Sequence, residues 1–252
     1  MFKKSVFATS MITLLSQNIM AEGFSSTSLI YMYGNSFEEV ADVDTIPDGD
    51  LHTITLEHFS TWKYGANFFF VDMTKANYGN NGFAGKRDSN KVYAEWAPRL
   101  SLSAMTGNNL SFSFINDVHL AGQLNRGEDF NAELAGVGAM LDVPSFNFVE
   151  FNVYARDDNF NDKTSQLTVA WNATYNIGFP LVFEGFVDYF GVDDGSTVIF
   201  QPRLLLDSKY FRKELDGLQV GIEYYYYNTS AVPNFKSKVV ESTPQFMAKW
   251  TW

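Results

Sequence analysis

The sequence predicts an all-β protein, a single antiparallel transmembrane β-barrel of about 12 strands. Three observations predict it. Segments in which apolar and polar residues alternate recur along the chain, and longer connections alternate with tight turns between them. Aromatic residues make up 17% of the chain although its mean hydropathy is only −0.14. A barrel wall explains this combination, because alternate residues face lipid while the others face a polar interior.

The start of the chain is predicted to be an export signal and not part of the barrel. Lys3 and Lys4 form a short basic region, an apolar stretch follows, and the residues up to Ala21 resemble a cleavage site. The apolar stretch is too short to span a bilayer as a helix. We therefore expect a signal peptide at 1–21 and an outer-membrane β-barrel at 22–252.

Period-two patterning marks the strands. Between 167 and 175, Leu, Val, Trp, Ala and Tyr alternate with Thr, Ala, Asn and Thr, which gives one apolar and one polar face. The last strand alternates in the same way up to Trp252, as the closing strand of an outer-membrane barrel does. The predicted strands are 26–34, 51–61, 64–74, 90–102, 109–123, 132–142, 146–156, 164–176, 180–190, 196–206, 218–228 and 243–252.

The connections support the barrel over a soluble β-sandwich, which composition alone would allow. With the first strand entering from the periplasm, the outer connections are expected to be longer. They are 35–50, 75–89, 124–131, 157–163, 191–195 and 229–242. Tight inner turns are predicted at 61–63, 143–145 and 177–179, whereas the inner connections 103–108 and 207–217 depart from the pattern.

Composition excludes several classes of function. The chain has 18 basic and 29 acidic residues, a net charge of −11, so we expect no nucleic-acid partner, which would require a basic surface. No run of 18 apolar residues follows the export signal, which argues against a helical membrane protein. The chain has no cysteine and three scattered histidines, so no disulfide, metal or other cofactor is expected. Gly136-Val137-Gly138 lacks the following helix of a dinucleotide site and indicates a closely packed strand.

Strand parity predicts which side chains line the lumen. The predicted solute-binding residues are Phe70, Asp72, Glu95, Arg99, Asn152, Tyr154, Arg156, Phe186 and Asp188. The same inward faces carry Phe68, Asp117, His119, Glu150, Phe190, Gln201, Arg203, Glu223, Tyr225 and Tyr227. Rings offer stacking surface to a planar base, and carboxylates accept hydrogen bonds from sugar hydroxyls. A structural alternative stays open, in which rings fill a narrow lumen and Glu–Arg pairs brace the wall.

One stretch resembles a known family. Residues 95–112, E-W-A-P-R-L-S-L-S-A-M-T-G-N-N-L-S-F, resemble a signature of the nucleoside-specific outer-membrane channels of the Tsx type and of related phage-receptor porins. In that signature a P-R-x-S strand is followed after a short turn by an L-S-F strand. Weaker similarities lie at 70–72 and 151–156. Only residues in the matching stretches can be compared with residues of the family. They are Asp72, Pro98, Arg99, Asn152 and Tyr154.

The resemblance implies a function as well as a fold. It implies a twelve-stranded monomeric barrel in the bacterial outer membrane that passes nucleosides or similar small solutes passively. It also implies surface loops that can serve phages or bacteriocins as receptors. Membrane lipid and lipopolysaccharide would be its surroundings. The chain departs from the family pattern at Ser113-Phe114, where the family often has Gly-Pro, and at its terminal Trp252.

Pro98 is unusual inside a strand, because proline has no ladder donor. We expect a local bend at Pro98 that turns Arg99 into the lumen. The segment Gln201-Pro202-Arg203-Leu204 repeats this arrangement, on what we expect to be another wall.

Two other functions stay open at this point. His58-Phe59-Ser60 has the spacing of a His–Ser pair on a membrane-facing strand, the arrangement of some outer-membrane lipid hydrolases, in which imidazole activates the hydroxyl. The Asn-Gly that follows in the phospholipase motif is absent, since Thr61-Trp62 come next. A structural or adhesive barrel with a blocked lumen is the other alternative.

Overall fold

Twelve antiparallel strands form a closed barrel in the computed structural model, which describes residues 23–40, 45–78, 87–193, 195–230 and 239–252. Each strand pairs with its neighbours in the sequence, and β1 closes the ring against β12. The predicted fold is therefore confirmed. The strands are β1 Ser25–Val40, β2 Thr45–Trp62, β3 Gly65–Tyr78, β4 Arg87–Ser101, β5 Ile115–Arg126, β6 Asn131–Leu141, β7 Phe148–Asp158, β8 Thr164–Asn176, β9 Pro180–Val192, β10 Gly195–Asp207, β11 Leu218–Thr229 and β12 Val239–Thr251.

The largest difference from the predicted boundaries lies between β4 and β5. The strand predicted at 109–123 begins only at Ile115, and a short helix, α1 (Leu102–Thr106), precedes it. The Asn109 side chain accepts a hydrogen bond from the backbone N–H of Ser111 at 2.9 Å, and Ser113 has a φ of 55°, so the chain turns here. The expectation of an L-S-F strand at 110–112 is therefore wrong.

The predicted contrast between connections holds only in part. The inner turn at 177–179 is tight, as predicted, and the tight turn predicted at 61–63 lies at 63–64. The turn predicted at 143–145 is longer than expected and spans 142–147. The inner connections 102–114 and 208–217 are long and contain α1 and two short 3-10 turns, Ser208–Tyr210 and Lys213–Leu215. Outer connections such as 127–130 are short because the strands extend further than predicted. The predicted signal peptide at 1–21 and the outer segments 41–44, 79–86 and 231–238 lie outside the described residues.

The barrel wall is apolar outside and polar inside. Trp96, Val137 and Phe246 are 46%, 53% and 51% exposed on the outer surface, whereas Asn152 and Glu223 are buried inside. An apolar outer band around a polar interior is the arrangement that lipid requires of a transmembrane barrel. Within the described ranges, no helix is both long and apolar enough to cross a membrane.

Gly136 marks a close approach between β6 and β7, in agreement with the predicted close packing. A Cβ atom on Gly136 would lie 1.9 Å from the backbone oxygen of Val153. At Gly138, two residues away on the same face, a Cβ atom would lie 1.9 Å from the Asn152 Oδ1 atom. The backbone of β6 therefore makes room both for β7 and for a lumen hydrogen bond.

We expect Gly136→Ala to reduce the yield of folded barrel, because the added Cβ would displace the β7 backbone. Overpacking of this kind costs about 1–3 kcal/mol of folding free energy, and contact with backbone raises the cost. The heat-modifiable migration of the refolded protein in SDS gels measures the folded fraction. Ala135→Leu is the matched control, since Ala135 is exposed on the lipid-facing side. A folded fraction equal to wild type for Gly136→Ala would contradict the close approach.

Candidate functional site

The lumen face of each strand is fixed by register and by bonds that cross the interior. Residues directly opposite in register share a face of the wall, and ion pairs between strands that are not neighbours must pass through the lumen. The structure places all nine predicted site residues on this face: Phe70, Asp72, Glu95, Arg99, Asn152, Tyr154, Arg156, Phe186 and Asp188.

Five charged side chains form a cross-lumen group, the Arg203 cluster: Glu57, Glu184, Arg203, Glu223 and Lys249. Lys249 Nζ donates to Glu57 at 2.8 Å and to Glu184 at 2.9 Å. Arg203 donates to Glu57 at 2.8 Å and to Glu223 at 2.7 Å. Since β2 and β10 are not adjacent, the Arg203–Glu57 bond crosses the interior. The cluster pairs charges that would be costly to bury alone.

A second group, the Arg99 cluster, lies on the other wall and consists of Arg99, His119, Glu150 and Asn152. Arg99 Nε donates to the Glu150 carboxylate, and Asn152 Nδ2 donates to the same carboxylate at 2.6 Å. His119 Nε2 and Asn152 Oδ1 are 2.8 Å apart. Arg99 and Lys249 each lie two residues from the end of their strand at which β1 begins, which we take as the periplasmic end. The two clusters therefore narrow the lumen near that end.

Pro98 interrupts the ladder between β4 and β5. Pairing stops at Trp96–Leu124 and resumes at Arg99–Ala121. Arg99 Nη1 donates to the carbonyl oxygens of Pro98 and Gly122, both at 3.3 Å. Because proline has no N–H for the ladder, the arginine supplies a donor where the backbone cannot.

Pro202 produces the same interruption on β10. Pairing with β11 stops at Phe200–Tyr226 and resumes at Arg203–Glu223. The following arginine again points into the lumen, where it joins the Arg203 cluster.

Three carboxylates in the middle of the lumen have no basic partner. Within the part of the chain that the structure describes, Asp72, Glu95 and Asp188 have no Lys, Arg or His at ion-pair distance. Their hydrogen-bond donors are neutral side chains at 2.5 to 3.0 Å, namely Thr55 for Asp72, Tyr93 and Gln123 for Glu95, and Thr168 for Asp188. Glu95 and Asp188 interact electrostatically. These carboxyl groups place hydrogen-bond acceptors without a basic partner in the middle of the lumen.

Five aromatic rings form a continuous series along one side of the lumen, the aromatic ladder. The centroids of Phe68 and Phe70 are 6.1 Å apart, and those of Phe70 and Tyr93 are 6.0 Å apart. Tyr93 stacks on Phe130 at 6.3 Å, and Phe130 stacks on Phe160 at 6.0 Å. Phe68 lies three residues from the periplasmic end of β3, and Phe160 lies in the outer connection after β7. The aromatic ladder therefore reaches the outer mouth.

Arg156 lies where the aromatic ladder meets the outer mouth. Its guanidinium carbon is 5.7 Å from the Phe130 ring and 4.1 Å from the Phe190 ring. Its nitrogens donate to Asp158 at 2.9 Å and to Gln166 at 2.7 Å. Carboxylate, amide and ring contacts hold this cation in one orientation.

Sequence reasoning did not single out several of these residues. Glu57, Glu184 and Lys249 were not predicted, although each lies on the inward parity of its strand and that parity could have found them. Phe130 and Phe160 lie in connections, where period-two parity carries no information. Their place in the aromatic ladder is visible only in the structure.

The His–Ser pair lies on the outer wall. His58 Nδ1 is 2.9 Å from the Thr27 hydroxyl, and the imidazole stacks on Phe69 with centroids 5.1 Å apart. The ring is thus oriented by neighbours on β1 and β3, and no bond joins it to Ser60 in the described part of the chain. In those same ranges, no group of three or more His, Asp or Glu side chains is arranged to hold a metal ion.

Comparison with known proteins assigns the family. The family model described as nucleoside-specific channel-forming protein, Tsx, matches residues 31–232. The chain belongs to this family. The outer membrane protein OmpK of Vibrio parahaemolyticus is 22% identical over 236 residues, covering 88% of this chain and 89% of the relative. A second OmpK, from a serotype O3:K6 strain of that species, is 21% identical over 240 residues, covering 88% and 90%.

A solved structure agrees with this fold. The KdgM porin superposes with a TM-score of 0.50 at 8% identity, covering 89% of this chain and 99% of the porin. That likeness concerns the barrel architecture alone. Family and relatives together make this Tsx-family protein an outer-membrane channel for small solutes, located in the bacterial outer membrane.

We expect Arg99→Ala to destabilise the barrel and to raise single-channel conductance. The substitution leaves the Glu150 carboxylate, 14% exposed, without its cation, and such a loss costs about 3–5 kcal/mol. It also removes a guanidinium from the narrow part of the lumen. Thermal unfolding in detergent and planar-bilayer recordings measure the two effects.

Arg126→Ala is the control for Arg99→Ala. Arg126 pairs with Glu133 on the outside, where the two side chains are 49% and 65% exposed. An exposed pair contributes about 0–1 kcal/mol. If Arg99→Ala keeps wild-type stability, conductance and solute preference, Arg99 has no role in the constriction.

Proposed function

We propose that this protein is a passive outer-membrane channel for nucleosides or similar small solutes, with no enzymatic activity and no cofactor. The aromatic ladder beside carboxyl groups that lack a basic partner is the observation that supports the proposal. A nucleoside combines a planar base with a sugar that carries hydroxyl donors. Rings and carboxylates side by side match these two chemistries.

The spacing of the rings suits movement in steps. A base that leaves one ring finds the next ring centroid about 6 Å away along the aromatic ladder. Base–aromatic stacking contributes about 1–3 kcal/mol per base, which raises the local solute concentration without trapping the solute. A conducting site requires such a compromise between entry and exit.

The predicted site residues take different roles in this proposal. Phe70, Asp72 and Glu95 in the middle of the lumen contact solute, and Tyr154 contacts it from the side of β9. Phe186 and Asp188 offer the same groups from the opposite wall, and Arg156 contacts solute at the outer mouth. Arg99 and Asn152 both donate hydrogen bonds to the Glu150 carboxylate, so their main role is to brace the constriction. The alternative in which inward residues only brace the wall thus applies to some of the nine predicted site residues and not to all of them.

A monomeric barrel surrounded by lipid and lipopolysaccharide is sufficient for this function, because every group invoked belongs to one chain. Service as a phage or bacteriocin receptor is a further proposal that rests on the family resemblance. The outer segments that would carry it lie largely outside the described residues. Adsorption of a phage to cells that express or lack the protein tests it.

The aromatic ladder provides the main test. Nucleosides are expected to reduce or modulate the single-channel current of the wild-type protein in planar bilayers. Tyr93→Leu and Phe130→Leu keep an apolar side chain but remove the ring, and we expect the concentration for half-maximal block to rise about tenfold, equivalent to the loss of one stacking contact.

Two lipid-facing rings supply matched controls for these variants. Tyr189 and Phe151 are 51% and 36% exposed on the outer wall, so Tyr189→Leu and Phe151→Leu should behave as wild type. A bilayer that stays silent with folded wild-type protein favours a structural barrel. If the protein conducts but nucleosides do not change the current, the nucleoside proposal is rejected and the protein is a channel for other solutes.

Lipid hydrolysis is not expected, because the His58 imidazole is hydrogen-bonded to Thr27 and stacked on Phe69 and makes no bond to Ser60 among the described residues. Wild type and Ser60→Ala should give the same rate in a mixed-micelle esterase assay, equal to the rate without protein. Hydrolysis by wild type that Ser60→Ala abolishes would make this barrel an enzyme.

A further inference from the structure

The two halves of the barrel contain the same short sequences in the same order. Phe70-Val71-Asp72 on β3 recurs as Phe186-Val187-Asp188 on β9, and Pro98-Arg99-Leu100 on β4 recurs as Pro202-Arg203-Leu204 on β10. Each pair is separated by six strands in a closed ring of twelve. Strands half a ring apart stand on opposite walls, so the repeated segments face each other across the lumen.

The side-chain geometry around the repeated aspartates also recurs. Thr55 lies directly opposite Asp72 in the β2–β3 register, and its hydroxyl donates to the carboxylate at 2.5 Å. Thr168 lies directly opposite Asp188 in the β8–β9 register and donates to it at 2.5 Å. Each aspartate therefore has one carboxylate oxygen oriented by a threonine on the preceding strand.

The interruptions of strand pairing at the two prolines also recur, each on the side of the following strand. Pro98 keeps its register partner on β3 and lacks one on β5. Pro202 keeps its partner on β9 and lacks one on β11. In both halves the next residue is an arginine bound to carboxylates near the periplasmic end. The similarity thus covers the ladder interruption and the side-chain partners. The relative register differs by two residues, because Pro98 pairs with Asn67, five residues before Asp72, and Pro202 pairs with Gly185, three residues before Asp188.

Both aspartates lie at a similar depth. Asp72 is seven residues from Gly65 at the start of β3, and Asp188 is eight residues from Pro180 at the start of β9. In each half a phenylalanine precedes the aspartate by two residues on the same inward face, Phe70 in one and Phe186 in the other. Each wall therefore presents one ring face and one oriented carboxylate at the same level.

We propose that the lumen contains two matched solute stations on opposite walls, the first formed by Phe70 and Asp72 and the second by Phe186 and Asp188. The inference rests on the proposed function, because it takes the solute to be a planar ring that bears hydroxyl groups. Either station alone holds such a solute, since the ring stacks on the phenylalanine and a hydroxyl donates to the aspartate. The stations act in parallel at one level of the lumen.

An unpaired hydroxyl at the second station provides independent support. Tyr154 is 1% exposed, and its hydroxyl has no hydrogen-bond partner among the residues that the structure describes. Tyr154 lies on the inward face of β7, two strands from β9, which carries Asp188. A buried hydroxyl without a partner is costly, and a solute held at the second station would supply the acceptor it lacks.

The two halves also differ in ways that bear on the solute. The first station has Glu95 nearby, an additional acceptor held by Tyr93. Ile199 and Gln201 are the register partners of Asp188 and Phe186 on β10, so no carboxylate corresponds to Glu95 in the second half. The first station therefore favours solutes rich in hydroxyl donors, whereas the Tyr154 hydroxyl lets the second station bind an acceptor as well.

The test compares Asp72→Asn, Asp188→Asn and the double variant by nucleoside block of single-channel current. With two equivalent stations, each single variant leaves one station intact, so the half-blocking concentration should rise only about twofold. The double variant loses both stations and should rise at least about tenfold. Asp157→Asn removes an exposed charge outside the lumen and should match wild type.

Three results separate the possible failures. A large loss in one single variant and none in the other means a single station and overturns the inference, while the proposed function stands. Equal small losses that do not increase in the double variant also overturn it. If nucleosides leave the wild-type current unchanged, the proposed function and the stations fail together.

Two further measurements guard against misfolding. Heat-modifiable migration in SDS gels identifies any aspartate variant that does not fold, and only folded protein is recorded. Phe70→Leu, Phe186→Leu and their double variant must reproduce the same pattern of small single and large double effects. A pattern seen for the aspartates alone would remove the rings from the stations and overturn the inference as stated.

Discussion

The structure depends on one constraint, that every backbone N–H and C=O within hydrocarbon must find a partner in the chain itself. A closed ladder meets it, because β12 returns to β1 and leaves no edge. Once the ring is closed, alternation along each strand is fixed, and any side chain that does not face lipid must enter the lumen. The polar interior is thus a consequence of closing the backbone, and the charges inside it have to be arranged within a narrow space.

Two prolines violate the constraint locally, and the arginines that follow show how the violation is tolerated. Pro98 leaves a gap in the ladder, and Arg99 donates to the carbonyl oxygens at that gap. The same arginine neutralises Glu150, so one cation serves both backbone and lumen. Charges near the periplasmic end are paired in this way, whereas those in the middle are not. The carboxylates without a basic partner are the part of the lumen that bracing does not explain, and for this reason we propose them as the groups that bind a solute.

Sequence alone predicted the barrel and the inward faces and singled out Pro98, where the ladder is interrupted, because each follows from local parity or from the chemistry of one residue. It could not predict which inward charges meet. Lys249 and Glu57 are 192 positions apart in the chain, and only closure of the ring brings them to 2.8 Å. It also placed the start of β5 too early, because Asn109 and Ser113 make a turn within a segment whose apolar pattern resembles a strand. Rings in connections, such as Phe130, follow no period.

Closure also explains why a sequence repeat acquires functional meaning in this fold. In an open sheet, two similar segments six strands apart would lie far from each other and face the same direction. In a ring of twelve strands the same offset turns one segment to face the other across the interior, since half a turn separates them. Any ring or carboxylate repeated at that offset is therefore offered to the same passing molecule from both sides. In the proposed pair of stations, differences between the halves would set the balance of hydrogen-bond acceptors and donors that a solute meets. Examples are Glu95 on one wall and, on the other, the Tyr154 hydroxyl, which has no partner among the described residues.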